Sequence, residues 1–186
     1  MSGSALPAFV VAEVVAAARE YLRLAAGVEA ALLARVAEAA VLTAEAFCGD
    51  VFVARPHEAV LAVAAGWQRL PARPVTAIAG LTALPAGAAP FVLGVNAYAI
   101  DIDADATGWI RVADAGAARQ VAVDYTAGRA AAFAEVPAPV AQGIVALAAH
   151  LFEARDGDAA VAALWRPFRR LRLLELLPLD RLGAGR

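Results

Sequence analysis

The sequence has no lysine; all 16 of its basic side chains are arginine. That removes the phosphate-gripping lysine of a P-loop and every lysine Schiff-base chemistry. Cysteine occurs once, at Cys48, so no internal disulfide can close and nothing demands an oxidising compartment. Serine occurs only at Ser2 and Ser4, and histidine only at His57 and His150. An activated nucleophile needs a base within reach, and a zinc site needs closely spaced ligands; the sequence spacing supplies neither. A lone cysteine at a helix end reads instead as a small buried hydrophobe. The pattern holds no glycine-rich phosphate loop, so no catalytic residue, cofactor site or metal site is expected.

Charge is also absent where it would matter for a membrane. Between Pro74 and Ile100 there is no charged residue, a length sufficient to span a bilayer. Pro74, Pro85 and Pro90 with Gly80, Gly87 and Gly94 cut that stretch into short pieces, which read as buried strands and loops. The opening "MSGSALPAF" lacks the basic and apolar regions of a signal peptide. A soluble protein without membrane contact is the expectation. The net charge of −2 gives no global attraction to nucleic acid.

What is present is apolar. Of 186 residues, 62% are hydrophobic and 18% charged, which fits a folded domain with a real core. Much of that content is alanine, which favours helices but buries little area per residue, so burial against partners would add to stability. The expected organisation is one α+β domain over residues 1–165, followed by a C-terminal arm over 166–186.

The pattern is predominantly helical. Val14, Ala17, Ala18, Tyr21 and Leu22 recur at helical spacing; after a break at Gly27, so do Val28, Leu32, Val36 and Phe47. Gly49 is placed to cap the second segment, and the two should form an N-terminal helical hairpin. From Val51 to Tyr125 the period changes to short β-branched and aromatic runs split by Gly, Pro or Asp, predicting a small central antiparallel sheet. "LPARP" (Leu70 to Pro74) reads as a rigid extended connector. Pro137 and Pro139 suit a helix start, with Val140, Ile144, Leu147 and Leu151 as one stripe, and further C-terminal helices lead into the extended arm.

Asp101, Asp103 and Asp105 in "DIDADATGWIRV" match the first, third and fifth positions of a calcium-binding EF-hand loop. The sixth position is Ala106 instead of glycine, and the twelfth is Val112 instead of a bidentate glutamate. A β-turn with Gly108 at its tip accounts for the same residues.

"LWRPFRRLRLLELL" (Leu164 to Leu177) interleaves Arg166, Arg169, Arg170 and Arg172 with Trp165, Phe168, Leu171, Leu173 and Leu174. Three readings stand. It is an amphipathic terminal helix with a solvated arginine face, a protein interface anchored by Trp and Arg, or a nucleic-acid contact through arginine and aromatic stacking. Strong apolar content favours the protein interface.

Taken in order, "YLRLAAGVEAALLARVAEAAVLTAEAFCG", "GWQRLPARPVTAI", "YAIDI", "VAVDYTAGRAAAFAEVPAPVAQGIVALAAHLFEARD" and "ALWRPFRRLRL" resemble the phage head–tail connector (adaptor) proteins, in particular the gene transfer agent branch. The resemblance runs from about Tyr21 to Leu173. Its most specific pieces are "LRL" (Leu22 to Leu24), "LPARPV", and "DYTAG" followed by "VP"; Thr82 to Asn96 departs furthest.

The resemblance implies a structural role without catalysis or cofactor. Such adaptors are made in the bacterial cytoplasm and sit in the neck of the particle. They form a homo-oligomeric ring, usually dodecameric, beneath the portal protein. The ring seats the stopper or tail-completion protein and leaves a channel through which DNA passes without sequence-specific binding. Trp165, Arg166, Phe168, Arg169, Arg170, Arg172 and Leu173 are then the expected portal contact, with the arginines facing portal carboxylates. Asp101, Asp103 and Asp105 are candidates for a turn facing a neighbouring ring or the channel; an ordinary solvated turn is the simpler reading. The rival function is DNA binding through the arginine–aromatic segment, which would weaken steeply with salt.

Overall fold

A computed structural model of the chain describes residues 5–25 and 29–153. Three helices, α1 (Ala8–Leu22), α2 (Ala30–Cys48) and α3 (Ala138–Phe152), pack on one another. The expected hairpin of α1 and α2 is present, but α3 returns from the far end of the described chain to contact both, so the unit is a three-helix cluster. Val10, Val14 and Ala18 meet Leu33, Ala37, Ala40, Val41 and Ala44, with Val140, Ile144 and Ala148 completing the core. Phe52, Phe133 and Val136 close it from the connecting segments.

The buried stripe of α2 differs from the sequence expectation. Leu32 is exposed and Val36 and Phe47 are only half-buried, whereas Leu33, Ala37, Ala40, Val41, Ala44 and Cys48 face inward. Tyr21 and Leu151 likewise lie outside the core stripes assigned to them. In alanine-rich helices both faces carry apolar residues, so periodicity alone does not select the buried one.

Helix ends follow local chemistry. Pro7 precedes α1, and its carbonyl accepts the Val10 and Val11 N–H groups at 3.0 and 3.3 Å. At the other end Arg23 turns left-handed (φ 54°), so Leu24 N–H reaches the Arg19 carbonyl at 3.0 Å. That arrangement satisfies the terminal carbonyls and folds Leu22 and Leu24 back on the helical core, which explains the "LRL" signature. Gly49 caps α2 as expected, with φ 76° and its N–H on the Glu45 carbonyl at 2.8 Å.

The strands form two antiparallel sheets among the described residues, where one had been expected. The first has the order β1 (Arg55–Ala62), β7 (Gln120–Ala127), β3 (Val75–Leu84), β4 (Phe91–Val92). The second runs β2 (Gln68–Arg69), β6 (Gly108–Val112), β5 (Tyr98–Ile102). Helix makes up about 38% and strand about 29% of the described residues, so the fold is α+β but not predominantly helical. The charge-free stretch from Pro74 to Ile100 supplies β3, β4 and part of β5, and no described helix is long and apolar enough to cross a membrane.

Strand alternation sets the second core. Val121, Val123, Tyr125 and Ala127 point inward along β7, while Gln120 and Asp124 point out. Leu81 and Ala83 of β3 and Ile110 and Val112 of β6 join the same cluster, so the two sheets share one apolar layer. The outer strands β2 and β4 are two residues long, which keeps those sheet edges short.

Candidate functional site

The polar seam between the helical and sheet cores is built from charged side chains that local sequence pattern does not reveal. Glu45 lies in the last turn of α2 and Arg55 opens β1; both are buried. Arg55 Nη1 and Nη2 donate to Glu45 Oε1 and Oε2 at 2.8 and 2.7 Å, a bidentate pair. Phe52 N–H donates to the same carboxylate at 3.0 Å. A glutamate near a helix C-terminus opposes the helix dipole, and that was the available sign that Glu45 has a compensating partner.

Beside this pair, Asp50 faces Arg73 at 3.3 Å and Arg129 at 3.6 Å. Arg73 belongs to the "LPARP" connector, and that segment is pinned along its length. Leu70 N–H donates to the Gly108 carbonyl, Ala72 N–H to the Tyr125 hydroxyl, and the Arg73 carbonyl accepts Val51 N–H at 2.7 Å. The Arg73–Pro74 peptide is cis, and the Pro74 carbonyl accepts Gly128 N–H at 2.8 Å. Gly128 has φ 132°, and a Cβ there would lie 2.3 Å from the Ala54 backbone. The "LPARPV" and "DYTAG" motifs thus meet at one seam, where close backbone approach requires glycine.

The remaining reactive groups are muted by burial. Burial, aided by the Asp50 charge, pushes the Cys48 thiol up to about 11, far from a reactive thiolate. His57 stacks on Tyr125 with ring centroids 5.6 Å apart, and its Nε2 is buried without a hydrogen-bond partner. Burial, and then the Arg55 charge, hold its pKa below 6.5, against the opposing pull of Glu45. Burial also raises the Tyr125 hydroxyl, although its bond from Ala72 N–H works the other way. Among the described residues no group of three or more His, Cys, Asp or Glu could hold a metal ion.

The aspartates lie at a turn between β5 and β6, Asp101 on β5 and Asp103 and Asp105 in the turn, but it is not the turn expected. Gly108 is not at its tip; it is the buried first residue of β6, where a Cβ would come within 2.8 Å of Leu70 Cδ1. The left-handed position is Ala106, with φ 55°. Asp103 organises the loop: its Oδ1 accepts Asp105 N–H at 3.0 Å and Thr107 N–H at 2.9 Å, and its Oδ2 accepts Trp109 Nε1–H at 2.9 Å. These bonds, led by the one from Trp109, hold its carboxyl below the usual carboxylate range. Asp101 and Asp105 are exposed, so only they have unengaged outward charge.

Trp165, Arg166, Phe168, Arg169, Arg170, Arg172 and Leu173 lie outside the described residues, as does the proposed arm over 166–186. The sequence pattern also gave no sign of an exposed pair on the three-stranded sheet. There Arg111 sits over the Trp67 ring, 5.2 Å from its centroid, a cation–π contact open to solvent.

The buried Glu45–Arg55 pair thus ties the helical cluster to the two-sheet unit. Three solved structures similar to this chain are chains of gene transfer agent particles. A chain in the neck of the empty gene transfer agent particle, computed with C6 symmetry, superposes with a TM-score of 0.72 at 26% identity, covering 92% of this chain and 97% of that one. A chain in the neck of the native particle, computed with C12 symmetry, gives 0.70 at 26% identity, with 94% and 98% covered. A chain in the virion of the native particle gives 0.66 at 26% identity, with 94% of each covered. No protein-family model and no curated protein matches the sequence. The resemblance carried by the sequence motifs therefore holds in three dimensions: the chain is similar, over nearly its whole length, to chains of the gene transfer agent neck.

Proposed function

We propose that this chain is the head–tail adaptor of a phage-like, gene transfer agent particle. In this reading, copies form a ring, dodecameric in the family it resembles, beneath the portal protein. The ring seats the stopper or tail-completion protein and leaves an axial channel for DNA. The observation that carries it is the near-complete mutual coverage with neck chains solved under C6 and C12 symmetry. The C-terminal segment supplies the portal contact, with Trp165, Phe168 and Leu173 as apolar anchors and Arg166, Arg169, Arg170 and Arg172 facing portal carboxylates.

Electron microscopy of the full chain mixed with the portal protein of the same particle tests this. Ring density below the portal is expected, and it should disappear when the chain is cut after Ala163 while the truncated protein still melts cooperatively. Absence of any association with the portal would overturn the adaptor reading. Density that survives truncation would move the contact into the folded domain.

A further inference from the structure

The two sheets bury their inner faces in one shared apolar layer, so their outer faces point to opposite sides of the subunit. These outer faces differ in charge. On the four-stranded sheet, Glu58 of β1 stands directly opposite Asp124 of β7, and both are exposed. Like charges placed opposite each other across strands destabilise a sheet. Neither carboxylate has a salt-bridge partner among the described residues. The adjoining row is largely apolar and open at its two ends: Val60 faces the buried Ala122, Ala122 faces Thr82, and Thr82 faces Val92. Val60 is 50% and Val92 78% exposed.

The outer face of the three-stranded sheet carries Trp67, Arg69 and Arg111, all exposed, beside the half-buried Trp109. Arg69 is the register partner of Trp109, two residues from Arg111, so the two arginines are diagonal neighbours, with backbones roughly 7–8 Å apart. Arg111 covers the Trp67 ring, which stays 46% exposed. Asp101 shares this face on the far strand β5, and the charge of Asp103 is already engaged by Trp109 and the turn.

We infer that these two faces meet between neighbouring copies of this chain. Arg69 and Arg111 of one copy lie against Glu58 and Asp124 of the next, and Trp67 packs on the Val60–Val92 row. The inference rests on the ring reading above and says which surfaces close the ring. A head-to-tail contact needs two different, complementary patches, and a closed ring needs them on opposite sides of the subunit. Opposite charge, opposite sides and apolar rows next to both charge pairs meet that requirement. The pairing also explains an otherwise unfavourable carboxylate pair: the second copy supplies its cations. Tryptophan and arginine are the residue types that anchor such contacts.

The test uses the full chain with the portal protein of the same particle, counting rings by electron microscopy. Glu58→Arg with Asp124→Arg forms one variant, Arg69→Glu with Arg111→Glu a second, and all four changes together a third. Ring occupancy is expected to fall about tenfold or more in each half-reversed variant, since like charges then meet across the contact. The fourfold variant should recover rings, because its faces are complementary again; that recovery also shows that the substitutions leave the subunit folded. Unchanged ring counts in the half-reversed variants would overturn the inference while leaving the ring reading intact. Loss without recovery would also overturn it, assigning those faces to the portal protein or to another segment of the chain. If the unaltered chain forms no ring at all, the ring reading itself fails, and this inference with it.

Discussion

Glu45 and Arg55 meet inside the protein through two parallel bonds of 2.7 and 2.8 Å, joining the last turn of α2 to the first residue of β1. The helical core lies on one side of this pair and the sheet core on the other. Removing Glu45 leaves a guanidinium buried without its partner. Glu45→Ala is therefore expected to cost about 3–5 kcal/mol, the usual range for breaking a buried pair from one side. Replacing both residues with methionine should cost much less than the sum of the two single changes. Urea unfolding of Glu45→Ala and of the four proteins of the methionine cycle (unaltered, each single change, both together) measures the two figures.

His57 gives the protein a pH dependence whose sign is fixed. Its folded pKa lies below 6.5, so the unfolded chain binds more protons in the window between the two values. Stability should thus fall as pH drops below about 6.5, as the stacked, desolvated ring is forced to take up charge. His57→Phe keeps a ring against Tyr125 and removes the titration. Thermal melts of both proteins from pH 5 to pH 7.5 should show a steeper decline for the unaltered chain.

Cys48 should be silent toward thiol reagents in the folded state. Its pKa of about 11 and its complete burial leave almost no accessible thiolate at pH 8. Labelling with a chromogenic disulfide is expected only after denaturant is added. Cys48→Ser puts a hydroxyl in an apolar core and should cost about 1–3 kcal/mol, with no effect on any assembly that the folded chain supports.

Among the aspartates, Asp103 should matter most to stability, because it alone holds the turn. Asp103→Ala is expected to lower the melting temperature and to alter Trp109 fluorescence, while Asp101→Ala and Asp105→Ala leave both close to the original. Asp103→Asn retains an oxygen for the Asp105 and Thr107 N–H groups but loses the charge that accepts from Trp109, so it should fall between. The depressed carboxyl pKa gives a second check: the contribution of Asp103 is present above the ordinary value of 3.8 and is lost as pH falls through the lower folded value. A melting-temperature series at pH 3 to pH 6 should show Asp103→Asn losing less on acidification than the unaltered chain.

By itself the sequence determined the local structure. Helices exist where alanine-rich amphipathic segments run between Pro7, Gly49 and Pro137, and strands where β-branched residues alternate between turn formers. The capping role of Gly49 was legible because backbone conformation there depends on neighbouring residues; that a turn lies near Asp103 was legible as well, but not its form, since Val75 N–H donates to the Ala106 carbonyl from elsewhere in the chain. The motif order also carried the likeness to gene transfer agent neck proteins. Tertiary structure decided the rest. The choice of Leu33 over Leu32 as the buried residue of α2 depended on α3, more than a hundred residues away. The division of the strands into two sheets followed from long-range register, which alternation within a strand does not specify. Gly108 reads as a turn glycine in sequence, yet its role is to admit Leu70 and Val75 from elsewhere in the chain. Likewise, Glu45 and Arg55 are ordinary surface charges in the sequence until the helix end and strand start bury them together. Local conformation is set by interactions a few residues long, while burial and charge pairing are properties of surfaces that only the folded chain brings together.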